Sequence, residues 1–260
     1  MVIALEVYIS STLPEPLYFA MVGRCTQMGH VVFIDSEEMM EIDGNVWAFY
    51  GFELDEFHRR KPHVTYEIEL RCEQNNDEHK NTSRHLVELY CQVLIGKNRH
   101  HHQFDIYDML MFDGRFHYSK TFLQGPHYLE ETSEIDLESK HYWVSPRDVA
   151  DAIYTCMTFP EGRDEPVNIC GRRGWTIRHT MEEFFMLQTR WKHGQSGLFN
   201  AGSLQSQSIP VSLEPFAGEV GHRPNLVPLH EMMLTQKEEG WRPYVPLRTM
   251  LMEVLSSIEK

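Results

Sequence analysis

Basic residues are in short supply. Lys and Arg number 24 against 38 Asp and Glu, a formal net charge of -14 at pH 7. Affinity for a phosphate backbone is built on Lys and Arg, so nucleic acid is not the expected partner. Cysteine is sparse and poorly placed for cross-linking: Cys25, Cys72, Cys91, Cys156 and Cys170 are odd in number and contain no Cys-x-x-Cys pair. That argues against a zinc ribbon or disulfide framework and for reduced intracellular thiols. No apolar run is long enough to span a bilayer, and no basic residue precedes Arg24. Neither a secretory leader nor a membrane span is expected, and the expected location is intracellular, cytoplasm or organelle matrix, not secreted. An internal repeat, a Walker loop and a Gly-x-Ser-x-Gly elbow are also absent from the sequence.

What is present is apolar content, 42% of 260 residues, enough to bury a sizeable core in one domain or in a large domain with a small lobe. The stretch Tyr142–Gly171 organises the chain. Tyr142-Trp143-Val144 is extended, Ser145-Pro146 offers an N-cap followed by proline at the first helical position, and Val149, Ala152, Ile153 and Cys156 recur at helical spacing. Pro166–Gly171 reads as a short buried strand ending in glycine.

Before it, Ile3–Ser10 reads as a strand, Leu17–Met28 as a helix and Val31–Ile34 as a second strand closed by Asp35, a strand-helix-strand unit of the dinucleotide-binding type. The first turn of such a unit carries three glycines, so that backbone and pyrophosphate can approach closely. Here those slots hold Ser11, Pro14 and Leu17 in one register and Thr12, Glu15 and Tyr18 in the other. Proline removes a donor, side chains fill the space, and Glu15 brings negative charge to where a dianion would lie. Asn45–Tyr50 and Phe104–Leu110 read as further strands, and Leu86, Leu89, Tyr90 and Val93 as the inner face of a helix over residues 81–96. His100-His101-His102 cannot all face one metal from a regular element, and His141, like His58, reads as a surface or satisfied histidine. Thr176 caps a helix containing Ile177, Met181, Phe184, Phe185 and Leu187; Met232–Glu239 and Pro246–Glu259 read as two more.

Four motifs follow one another in order: Val144-x-x-x-Asp148-Val149-Ala150-Asp151-Ala152-Ile153, Val167-Asn168-Ile169-x-Gly171, Thr176-Ile177-x-x-x-Met181-Glu182, and Gly240-Trp241-Arg242-Pro243-x-Val245-Pro246-Leu247. In this spacing they resemble the C-terminal half of the NAD(P)-dependent epimerase/dehydratase family, the extended short-chain dehydrogenases. The resemblance implies an α/β chain with a Rossmann-like doubly wound parallel sheet over residues 1–170, shortened, and a small C-terminal lobe over 171–260. It places NAD(P) against Ser11 and Thr12, with Asp35 at the ribose. It also implies a Tyr-x-x-x-Lys pair, in which Lys lowers the Tyr pKa so that the phenolate takes a proton as hydride leaves. No such pair occurs; the nearest group is Phe116-His117-Tyr118-Ser119-Lys120, where Tyr118 and Lys120 stand two residues apart. Glu67 and Glu69 stand where the family's next strand has His and Ala, and Phe52 where it has its adenine-contacting Asp.

The chain is accordingly expected to be a degenerate, non-catalytic member, binding no cofactor and acting as a structural or accessory subunit of a larger protein assembly. The accessory subunit of respiratory complex I is the precedent within the resemblance. Trp47, Phe49 and Met109 to Phe112 are either partner contacts or core. The alternatives are an active NAD(P)-dependent nucleotide-sugar epimerase, dehydratase or reductase using Tyr118 and Lys120, and an RNA-binding relative. A vestigial nucleotide is compatible with the first expectation.

Overall fold

The structure is a computed structural model and describes residues 4–10, 12–34, 58–59, 68–72, 86–95, 98–110, 137–157, 165–197 and 223–258. In chain order its elements are β1 (Glu6–Ile9), α1 (Glu15–Gln27), β2 (Val31–Ile34), β3 (His58–Arg59), β4 (Ile68–Cys72), β5 (Leu86–Ile95), β6 (Asn98–Tyr107) and β7 (Lys140–His141). There follow α2 (Pro146–Met157), β8 (Val167–Ile169), β9 (Trp175–Thr176), α3 (Ile177–Ser196), α4 (Val227–Leu234) and α5 (Leu247–Ile258). The protein is mixed α/β and forms two compact units. One comprises Met1–Tyr107, Pro146–Cys170 and Pro224–Pro243; the other comprises Asp108–Ser145, Gly171–Arg223 and Tyr244–Lys260.

In the first unit, Val7, Tyr8 and Ile9 of β1 and Val32, Phe33 and Ile34 of β2 are all buried. Unbroken apolar runs of this kind belong to strands covered on both faces. They lie in a seven-stranded sheet of order β3-β2-β1-β4-β5-β6-β8. Strand β1 is parallel to β2 and β4, β2 to β3, and β6 to β8. The expectation of a parallel sheet fails at β5, which runs antiparallel to both β4 and β6.

The same strand overturns the helix expected over 81–96. Leucine, valine and isoleucine dominate Leu86–Ile95, and an apolar run of that length satisfies helical and strand spacing alike. Long-range pairing decides between them: β5 matches β6 from Leu86 opposite Tyr107 to Ile95 opposite Asn98. Gly96 and Lys97 alone separate the paired ends, and a two-residue link joins antiparallel strands but not parallel ones. Helix α1 buries Leu17, Tyr18, Phe19, Met21, Val22 and Cys25 and packs on α2, which in turn packs on α4. Helix α4 begins five residues before the expected Met232, because Pro228 fits the first turn, where no N–H is required.

In the second unit β7 and β9 form a two-stranded antiparallel ribbon leading into α3. Thr176 caps α3, its hydroxyl accepting the N–H of His179, and Gly197 ends it in the left-handed conformation. Ile177, Met181, Phe184 and Phe185 then share a buried face with Leu247, Met250, Leu251, Val254 and Leu255 of α5, the spacing of two amphipathic helices closing on each other. Trp143 and Leu110 join this core. Met109 and Leu110, which the sequence left open as partner contacts, are therefore core residues. Trp47, Phe49 and residues 111–112, and the strand expected over Asn45–Tyr50, lie outside the described residues.

Leu251 is fully buried among these side chains. Leu251→Ala is expected to lower the unfolding free energy by about 2–5 kcal/mol, read as a fall in the urea midpoint at unchanged m-value.

Candidate functional site

Phosphate recognition by a strand-helix turn depends on free backbone N–H groups at the helix start. In the β1–α1 turn four of the described positions offer none. The Thr12 N–H donates to Ser10 Oγ at 3.3 Å and the Leu13 N–H to the Ser10 carbonyl at 3.2 Å. Pro14 is the N-cap and Pro16 lies in the first turn, so two further positions have no N–H at all. Leu13 is buried to 1% exposure and fills the turn, while Glu15 adds a carboxylate at the positive end of the helix. A dinucleotide diphosphate does not fit these residues. Thr12 is the one sequence-predicted site residue whose position is described, and it is exposed, its hydroxyl 3.1 Å from Ser10 Oγ. Ser11, Asp35, Tyr118 and Lys120 lie outside the described residues.

The polar groups of α2 have packing roles. Asp151 receives Arg24 at 2.7 Å and Lys237, joining α1, α2 and the segment after α4. One turn on, the Arg24 guanidinium lies 5.1 Å above the Tyr154 ring, and the Tyr154 hydroxyl is 2.9 Å from His30 Nε2. His30 Nδ1 accepts the N–H of Leu5 at 3.2 Å, so in the neutral ring Nε2 holds the proton and donates it to the tyrosine oxygen. Burial raises the Tyr154 phenol above its ordinary value, with the nearby Cys25 adding to the rise and Arg24 opposing it. That is the opposite direction from the one proton abstraction needs. Burial also pushes the Cys25 thiol up to about 12, against the pull of Arg24, so it is not a nucleophile near neutral pH.

The motif glycines also serve close packing. A Cβ on Gly171 would stand 2.2 Å from the carbonyl oxygen of Trp143. Gly240 has φ +61°, and a Cβ there would meet the His230 ring at 2.4 Å. That ring accepts the Trp241 N–H through Nδ1 at 3.1 Å, and the Trp241 indole donates to the Cys170 carbonyl at 2.9 Å, tying the end of β8 to the turn after α4.

A second polar cluster lies entirely in the other unit. Asp108 is completely buried with φ +54°, and its Oδ1 is 2.8 Å from His141 Nδ1. Its Oδ2 accepts the N–H of Tyr142 at 2.8 Å. His141 is 3% exposed and stacks on Trp143 with centroids 4.8 Å apart, and its Nε2 is 3.3 Å from Ser139 Oγ. The expectation of a satisfied histidine holds for His141, but its partners carry no sequence signature: Asp108 is 33 residues away, and Ser139 offers only a Ser-x-His spacing.

Elsewhere, His100 and His102 share one face of β6 while His101 takes the other. His102 is buried over Phe104, neither ring nitrogen has a hydrogen-bond partner among the described residues, and burial, then His100 and His101, lower its pKa. Among the described residues no group of three ligating side chains could hold a metal ion. None of the described helices is long and apolar enough to cross a membrane. An open groove of about 490 Å³ beside the β7–β9 ribbon is lined by Lys140, Arg173, Trp175, His179, Glu182 and Glu183. Arg173 stacks on Trp175 at 4.2 Å. The first three N–H groups of α3 are already committed to the Ser139 and Leu137 carbonyls and the Thr176 hydroxyl.

Gly240→Ala is expected to cost more than about 1 kcal/mol, through the left-handed backbone and the His230 contact together, seen as a lowered urea midpoint. Trp241 fluorescence should report loosening of the same turn. Compared with known proteins, the chain matches no protein-family model, no curated protein and no solved structure.

Proposed function

We propose that the chain is a short-chain-dehydrogenase-like scaffold that carries out no dinucleotide-dependent chemistry and serves as a structural or accessory subunit of a larger protein assembly. The observation that carries this reading is the β1–α1 turn, where the Thr12 and Leu13 donors are spent on Ser10, Pro14 and Pro16 have no N–H, and the first helical residue is Glu15.

Two features support the scaffold half. The parallel order β3-β2-β1-β4, with α1 between β1 and β2, is the strand order of the first half of a doubly wound nucleotide fold. The residues that carry the family resemblance, Asp151, Gly171, Gly240 and Trp241, are engaged in packing and backbone hydrogen bonds. A fold retains such residues whether or not its site is used. An assembly role gives a reason for keeping the architecture without the pocket.

Titration with NADH and NADPH tests it, followed by nicotinamide fluorescence and thermal shift. No saturable response is expected up to about 1 mM ligand, whereas saturation at micromolar concentration, with the matching rise in melting temperature, would restore the epimerase/dehydratase alternative. Gel filtration of a mild-salt native extract should show the chain eluting well above its 30.6 kDa. Elution as a free monomer would remove the accessory role.

A further inference from the structure

The Asp108, His141 and Ser139 cluster has an order of groups that the scaffold reading does not use. A carboxylate accepts from one imidazole nitrogen, and a hydroxyl faces the other. Ionised Asp108 only accepts, so His141 Nδ1 holds the proton of the neutral ring, and Nε2 is left with a lone pair directed at the Ser139 hydroxyl. This is the tautomer a general base for serine requires.

The surroundings hold that tautomer in place. The second Asp108 oxygen is tied to the Tyr142 N–H, the imidazole is stacked on Trp143, and the Trp143 indole is fixed by donating to Thr180 Oγ1 at 2.9 Å. Burial is graded as well. Asp108 is fully buried, His141 nearly so, and Ser139 keeps part of its surface in solvent. Asp108 also holds a left-handed backbone conformation, uncommon for a residue with a Cβ, which directs its carboxylate to both partners at once.

We propose that Ser139 is a nucleophile and His141 its general base, with Asp108 as the positioning residue, and that the site accepts activated acyl groups such as small carboxylic esters. In the first step Ser139 Oγ bonds to the ester carbonyl carbon while its proton passes to His141 Nε2. The C–O bond to the leaving group then breaks, and the imidazolium returns that proton to the departing alkoxide, giving acyl-Ser139 and an alcohol. Water, giving a proton to Nε2, attacks the acyl carbon; that proton returns to Ser139 Oγ as the acid leaves.

The test is covalent labelling of the full chain with a fluorophosphonate probe, in which P–O forms, P–F breaks and fluoride leaves, with the adduct located by mass spectrometry. Modification at Ser139 is expected. Ser139→Ala, at a partly exposed position, should keep the wild-type melting temperature and lose the label. Asp108→Asn should slow labelling by about 100-fold or more in the fraction that remains folded, because an amide donor at Nδ1 favours the other tautomer. Folded wild-type protein that takes no label at Ser139, or Ser139→Ala that labels as fast as wild type, overturns the proposal. No nucleotide enters these measurements, so they are read independently of the dinucleotide titration.

Discussion

Helix α2 is buried around nearly its whole circumference: Arg147 is exposed and Asp151 half-buried, and every other residue from Pro146 to Met157 is buried. A helix in that position cannot leave a polar side chain unpaired, since burying one without a partner costs several times what an ordinary hydrogen bond contributes. The first unit is built around meeting that demand. Arg24 of α1 and Lys237 beyond α4 converge on Asp151, and His30 ahead of β2 reaches the Tyr154 hydroxyl. These bonds give α1 and α4 a defined angle against α2 where apolar contact alone would tolerate sliding. A motif that resembles a dehydrogenase signature is thus explained by packing.

The two polar networks differ in what they leave available. Around α2 the groups satisfy one another: Asp151 is neutralised by two cations, the Tyr154 phenol is held protonated, and the Cys25 thiol is kept neutral by burial. Around Asp108 the chain of bonds ends on the hydroxyl of Ser139, a half-buried residue. An apolar stitch across the same backbone would need neither the buried carboxylate nor the left-handed residue that carries it. The β1–α1 turn stands at the other extreme: the Thr12 and Leu13 N–H groups are taken by Ser10, and Pro14 and Pro16 have none to offer.

Elements set by local pattern were legible in the sequence. The buried runs of β1 and β2, the proline-led start of α2, the Thr176 cap and the spacing of α3 and α5 all formed as read, although α3 runs on to Ser196 through a stretch, Lys192–Ser196, expected to be loop. The apolar residues of Leu86–Ile95 satisfy two periodicities, and pairing with β4 and β6 decides between them. The Asp108 and His141 pair was missed for a similar reason. Neither residue has a local signature, and only the closure of Leu110 and Val144 over backbone hydrogen bonds brings them together.

The amino-acid order therefore determined the local conformations and the loss of phosphate donors at Pro14 and Pro16, because proline geometry, capping and periodic burial act over a few residues. Tertiary structure decided the direction of β5, the packing use of Asp151 and Gly240, and the meeting of Ser139, His141 and Asp108. Each of these depends on which distant surface arrives to satisfy a buried group, and that information is spread over the whole chain.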